Sequence, residues 1–292
     1  MKPEKGDVDW AKPGLYCLRY VFIAAFLLSF ASGTTTLNTA TIIALAIAIL
    51  IFIVALLYST VGHAGASGYL AAMALFGVAP IVMKPTALML NIIVALIGTI
   101  RFYRAGFFSW RTFWPLAVAS IPASFIGGSL TLPDSIYKSI VGIVLLYSAV
   151  RLFFSARFVT ESEDATLVPI WIAVCLGAVI GLLSGLTGVG GGIFLSPVLL
   201  LMHWTTTKET SGVAAAFILV NSVAGLLGHM SAVSFVSNDI TYWAPAALIG
   251  GWLGTELGTR VLPIAGIRRW LSLVLVLAGL KLISEVALIL IR

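Results

Sequence analysis

The residues best suited to chemistry lie in two glycine-rich breaks, Val61-Gly62-His63-Ala64-Gly65-Ala66-Ser67-Gly68 and Thr187-Gly188-Val189-Gly190-Gly191-Gly192, each set between two apolar segments. Glycine disfavours helix continuation, so each break predicts a short helix that starts inside the apolar layer. The first-turn N–H groups of such a helix lack intrahelical acceptors and sit at the positive end of its dipole, facing a cavity. Two such starts brought together would hold an anion near the middle of the layer. Glycines also let helices pack closely, and that is the alternative reading of Gly62, Gly65, Gly188, Gly190, Gly191 and Gly192; Thr187 opens the second break, and the recurrence of a break in both halves favours the cavity.

Other polar groups in apolar surroundings are few. Asn91 and Asn221 fall inside long apolar segments, where an amide either contacts a substrate or hydrogen-bonds one helix to another. His63, in the first break, could donate to an anion or carry a proton, although Val189 stands at the matching place in the second. Lys84 precedes Pro85 at the start of a long helix, placed either to attract an anion or to extend its ammonium to the outer surface. Glu256 with Arg260, and Lys281 with Glu285, have the i,i+4 spacing of helix ion pairs. Cys17 and Cys175 lie far apart in apolar segments and read as small interior residues, neither disulfide nor metal site.

Signals for catalysis are lacking. There is no HExxH, no CxxC, no nucleophile elbow and no Asp pair at catalytic spacing. The second break is not a phosphate loop, because no Lys-Ser/Thr follows it. The expectation is a non-enzyme with no cofactor and no metal.

The elements that must position these residues are transmembrane helices. The chain of 292 residues is 60% hydrophobic and 10% charged, with a mean hydropathy of +1.10, which excludes an ordinary soluble domain. Its apolar stretches approach the roughly 20 residues that span a hydrocarbon core as a helix. The net charge of +6 sits between those stretches, where it sets topology, and no nucleic-acid groove is implied.

An internal repeat orders the segments. Asn91, Gly98, Pro115, Gly128, Leu132 and Pro133 each find their own type 130 positions later, and Gly62 and Gly65 match Gly188 and Gly191 at a spacing of 126. The first repeat (39–154) divides into Thr39 to Tyr58, Ala66 to Phe76, Ile81 to Arg104, Ser109 to Leu130 and Ser135 to Phe154. A polar linker (155–167) follows, and the second repeat (168–292) divides into Val168 to Ser184, Ile193 to His203, Thr207 to Met230, Ile240 to Val261 and Ile267 to Ile291. The preceding segment (1–38) holds Leu15 to Phe30, read as a cytoplasmic stretch leading to a retained anchor helix. The alternative is a signal cleaved at Ser29-Phe30-Ala31.

The second segment of each repeat is too short to cross alone. If it completes a crossing, Arg101, Arg104, Arg111, Arg151, Arg157, Lys208, Arg260, Arg268 and Arg269 share one side, and Lys84, Lys138 and Arg292 are left on the other. The positive-inside rule prefers that solution. The fold class is thus an all-α transmembrane bundle of two inverted five-segment repeats with short, Gly-broken helices, plus one N-terminal helix.

At the second break, GLLSGLTGVGGGIFLSPVLLL followed by AAAFILVNSVAGLLGH resembles the signature half of the TauE/SafE sulfite exporter family. TVGHAGASGYLAAMALFG, LNIIVALIGTIRFYRAG and WRTFWPLAVASIPASFIGGSL are similar to that family's other repeat, so the resemblance covers 42–291. It implies a secondary transporter or permease for small anions such as sulfite, sulfonates or related organosulfur compounds. It also implies that Gly188, Gly190, Gly191, Gly192, Pro197 and Asn221, with Gly62, Gly65 and Asn91 as repeat mates, line the binding site. The first break reads GHAGA where the family pattern is often richer in glycine, which leaves His63 as sub-specificity or drift. The expected location is the cell inner membrane, with the bilayer and a small anion as partners, no nucleic acid, and a homo-oligomer allowed. The alternatives are a permease for a small carboxylate and a membrane subunit that binds its ligand without moving it.

Overall fold

The structure, a computed structural model, describes residues 39–154, 169–233, 239–260 and 265–291. The anchor helix expected at Leu15 to Phe30 and the linker after Phe154 lie outside them. Among the described residues ten helices run in the order α1 (Thr39–Ser59), α2 (Ala66–Leu75), α3 (Pro80–Arg104), α4 (Trp110–Ser129), α5 (Asp134–Phe154), α6 (Ile170–Thr187), α7 (Gly192–Leu201), α8 (Thr207–Ala232), α9 (Ile240–Arg260) and α10 (Ala265–Ile291). All ten expected segments form, and among the described residues there is no strand.

Local chemistry sets the ends. Pro80 occupies the first turn of α3, where its missing N–H costs nothing. Ser109 Oγ accepts from the Thr112 N–H to start α4, and Thr206 with Glu209 forms a capping box at α8. The two short helices have no such cap: each begins at a glycine in the left-handed region, Gly65 (φ 104°) and Gly191 (φ 83°), with no side-chain hydrogen bond.

Among the described residues five helices, α1 (from Thr41), α3, α5, α6 and α8, are long and apolar enough to cross a membrane. The outward faces carry Ile49, Val118, Ile143, Trp171 and Val179, which suits hydrocarbon as the surrounding solvent. Cys175, expected in the interior, is on this exposed surface of α6, where a small apolar thiol needs no partner.

Among the described residues two apolar clusters are buried. One joins α1, α2, α3, α5, α9 and α10, around Ile51, Tyr69, Leu90, Leu145, Trp243 and Leu275, and takes in Val189 of the second break, Ile193 of α7 and Ile218 of α8. The other joins α4, α6, α7 and α8, around Leu116, Ala173, Leu195 and Phe217. The cores do not coincide with the two halves of the sequence: α4 packs with α6 and α8, and α9 with α3 and α1.

Glycine seams make these exchanges possible. On α6, a Cβ at Gly177, Gly181 or Gly185 would meet the carbonyl oxygens of Leu116, Ser120 and Ser124 on α4 at 2.2, 2.3 and 1.9 Å. On α9, a Cβ at Gly250, Gly254 or Gly258 would meet those of Phe52, Leu56 and Thr60 at 2.4, 2.0 and 2.2 Å. The two backbones touch along three successive turns, as small residues at every fourth position permit. By the 126 and 130 spacings α1 answers to α6 and α4 to α9, so the glycines sit on opposite members of equivalent pairs. One glycine-bearing partner is enough for close approach.

Helices in equivalent positions run antiparallel. Lys84 near the start of α3 and His229 near the end of α8 line one cavity, whereas Phe102 lies by Gly212 at the other end of the pair. In the same way Lys138 of α5 bonds Glu285 of α10 at 2.8 Å, and Gly142 faces Gly279.

Gly181→Ala is expected to lower the thermal unfolding midpoint of the detergent-purified protein, since an overpacked seam costs about 1–3 kcal/mol. Gly98→Ala, whose Cβ would meet only Ala215 Cβ at 3.4 Å, should leave the midpoint unchanged or raise it, with a gain in helix propensity of up to about 1 kcal/mol.

Candidate functional site

The two breaks meet each other. After α1 the chain turns through Gly62 (φ 74°), packed so closely that a Cβ would lie 2.2 Å from Ser211 O of α8. The next residue, His63, reaches across to the second short helix: its Nε2 lies 3.2 Å from Gly192 O and 3.1 Å from Ser196 Oγ. Its Nδ1 lies 3.1 Å from Val61 O. Gly65 then opens α2.

The second break is built the same way. Gly188 (φ 84°) ends α6, with its N–H donating to Ser184 O at 2.9 Å, and lies against the backbone of Lys84. Thr187 is buried; its hydroxyl donates to Leu183 O and accepts from the Val189 N–H, while its carbonyl accepts from Tyr137 OH at 3.0 Å. Gly190 and Gly191 hold φ values of 81° and 83°, and α7 begins at Gly192. Pro197 is buried inside α7.

Asn91 comes to the second break from α3. A Cβ at Gly190 would lie 2.7 Å from Asn91 Nδ2 and 3.2 Å from Ser222 Oγ, so the glycine backbone, the amide and the hydroxyl share one small space. Asn91 is fully buried, and neither of its polar atoms nor Ser222 Oγ has a hydrogen-bond partner. Asn221 is likewise buried and unpartnered in its side chain, about 100° around α8 from Ser222. Its carbonyl accepts from Ser124 Oγ at 2.7 Å. Neither asparagine hydrogen-bonds one helix to another through its side chain.

Lys84 is 6% exposed and does not extend to an outer surface. Its Nζ donates to Gly127 O, Gly128 O and Leu130 O at 3.3, 2.8 and 3.1 Å, closing the C-terminal end of α4. Lys281 does the same for α2, donating to Ala74 O and Leu75 O at 2.8 and 2.9 Å. Its expected partner Glu285 is at 3.8 Å, and the same carboxylate also takes Lys138. Glu256 pairs with Arg101 of α3, a partner remote in sequence; the side chain of Arg260 lies outside the described residues.

Open space flanks the breaks unequally. A cavity of about 140 Å³ is lined by Lys84, Tyr137, His229 and the α4–α5 turn. Tyr137 and Lys84 connect its wall to Thr187 and Gly188. The crevice beside the first break, among Ser59, Gly62, His63, Gly98 and Thr255, has no room for water. Ser196, Ser222 and His229 were not singled out in the sequence, because a serine or histidine on a helix carries no signal until its neighbours are known.

A family model described as Sulfite exporter TauE/SafE matches residues 45–282. A protein of Sinorhizobium fredii named "Probable membrane transporter protein y4hK" is 42% identical over 82% of this chain and 98% of its own length. Proteins of Methanocaldococcus jannaschii and Bacillus subtilis, named "Probable membrane transporter protein MJ0441" and "Probable membrane transporter protein YjnA", are each 26% identical, over 67% and 76% of this chain and 76% and 92% of their own. No solved structure matches the chain.

Because the Asn91 amide has no partner, Asn91→Leu should leave the unfolding midpoint of the purified protein unchanged or higher. An unsatisfied buried polar group costs about 1–3 kcal/mol that a leucine of similar volume does not. A lower midpoint would return Asn91 to the role of helix-to-helix bond.

Proposed function

The chain belongs to the sulfite exporter TauE/SafE family, a multi-pass membrane transporter, and from that premise we propose that it carries a small anion, sulfite, a sulfonate or a related organosulfur compound, across the cell inner membrane. The observation that carries this reading is the meeting of the two glycine breaks through His63, with the Asn91 amide set against the second of them at Gly190. Uncapped helix starts and an unpartnered amide and hydroxyl form a set of neutral donors. Such donors bind negative charge without burying a full cation beside it, and binding of that kind is weak enough to allow release.

Transport in this reading proceeds by alternating access. The antiparallel pairs α3/α8 and α5/α10 support an inverted repeat. The moving bodies follow the glycine seams rather than the two sequence halves, since the seams bind α4 to α6 and α9 to α1. Motion of α4, α6, α7 and α8 against the rest opens and closes the space around Asn91 and Gly190. Access in the present state is from the Lys84 end, while the other end is closed beside Arg101 and Glu256. The positive-inside rule makes the end with Arg101, Arg104 and Lys208 cytoplasmic.

Proteoliposomes given labelled sulfite, sulfoacetate and a panel of small carboxylates test the proposal. Flux of the sulfur anions is expected, reduced at least about tenfold by Gly190→Ala or Asn91→Leu, as loss of a hydrogen bond to a charged ligand implies. Flux of carboxylates alone would reassign the substrate, and no flux of any anion would overturn the reading.

A further inference from the structure

The cavity of about 140 Å³ carries two electrostatic deficits that the glycine breaks do not explain. His229, on the last turns of α8, is 5% exposed, and neither ring nitrogen has a hydrogen-bond partner. Lys84, on the facing wall, is buried, and among the described residues no carboxylate pairs with it. Its three N–H bonds are spent on the three carbonyls that end α4, which fix the ammonium in place without neutralising its charge.

An unpaired cation and an unbonded imidazole are each costly away from water. One small anion answers both, accepting the N–H of the histidine and sitting in the field of the lysine. The space is several times the roughly 30 Å³ that one water occupies in the liquid, enough for a small oxyanion. Asp134 also lines the cavity, but it is exposed, so its charge is the better hydrated of the three. Tyr137, which bonds the carbonyl of Thr187, and Lys84, whose backbone touches Gly188, form the wall between this cavity and the second break.

We propose that His229 and Lys84 form a second anion site, a vestibule in which a small oxyanion is captured by the His229 N–H beside the Lys84 charge before it reaches the Gly190 and Asn91 pocket. The site rests on the anion-transport reading but uses residues outside the breaks. It acts on capture: the anion is stripped of part of its water here and passes to the break as the moving bodies shift.

The chain has three histidines, so ring-nitrogen magnetic resonance on isotope-labelled histidine resolves the site directly, in nanodiscs titrated with sulfite. The resonance lost in His229→Gln is expected to move with sulfite in the wild type. In proteoliposomes His229→Gln should raise the half-saturating sulfite concentration about tenfold, as loss of one charge-assisted hydrogen bond predicts. The maximal rate should stay within about twofold, because the break is intact. A fixed resonance, or an unchanged half-saturating concentration, in a protein that transports sulfite overturns the vestibule and leaves the transport reading standing. A wild-type protein that neither binds nor moves any anion overturns both.

Discussion

Hydrocarbon offers no hydrogen bonds, so any stretch of backbone that leaves the helix within a membrane must be satisfied or enclosed by protein. Two such stretches interrupt this chain, and much of the architecture follows from enclosing them. The breaks are brought against each other and against α3 and α8, with His63 spanning from one to the start of α7. The buried C-terminal ends of α2 and α4 meet the same demand by taking lysines, Lys281 and Lys84, whose ammonium groups supply the donors that the last carbonyls lack. Cations in an apolar bundle are used here first as helix caps.

What the bundle leaves unsatisfied is as informative as what it satisfies. The N–H groups at the starts of α2 and α7 have no side-chain caps, and the amides of Asn91 and Asn221 and the hydroxyl of Ser222 have no partners. Asn91 and Ser222 share the space beside Gly190, and His229 adds two more unbonded polar atoms at the Lys84 end. Donors left open in this way are available to a ligand, whereas a fully bonded site would have nothing to exchange.

The glycine seams decide which helices lie side by side. Backbone packed on backbone over three turns ties α4 to α6 and α9 to α1, so helices from different halves of the sequence become direct neighbours. Asn91 and Gly190 come from different halves as well, and the small space they share with Ser222 exists because α3, α8 and the second break converge there.

The helices and their order were legible in the sequence, because runs of apolar residues punctuated by glycine, proline and charge have one stable solution in a membrane. The repeat was legible too, and with it the pairing of the two breaks, since equal spacings of glycine and asparagine survive as letters. Tertiary structure decided the rest. It exchanged α4 and α9 between the halves, exposed Cys175 on the outside of α6, and paired Glu256 with Arg101. Lys84 was visible as a cation near a helix start, yet the carbonyls it caps lie more than forty residues away. Ser222 and His229 carry no local signature at all; they matter because of what packing sets beside them, Gly190 for one and Lys84 for the other. Local physics writes helices and breaks into a sequence, whereas the partners of a polar side chain are chosen by contacts that no spacing records.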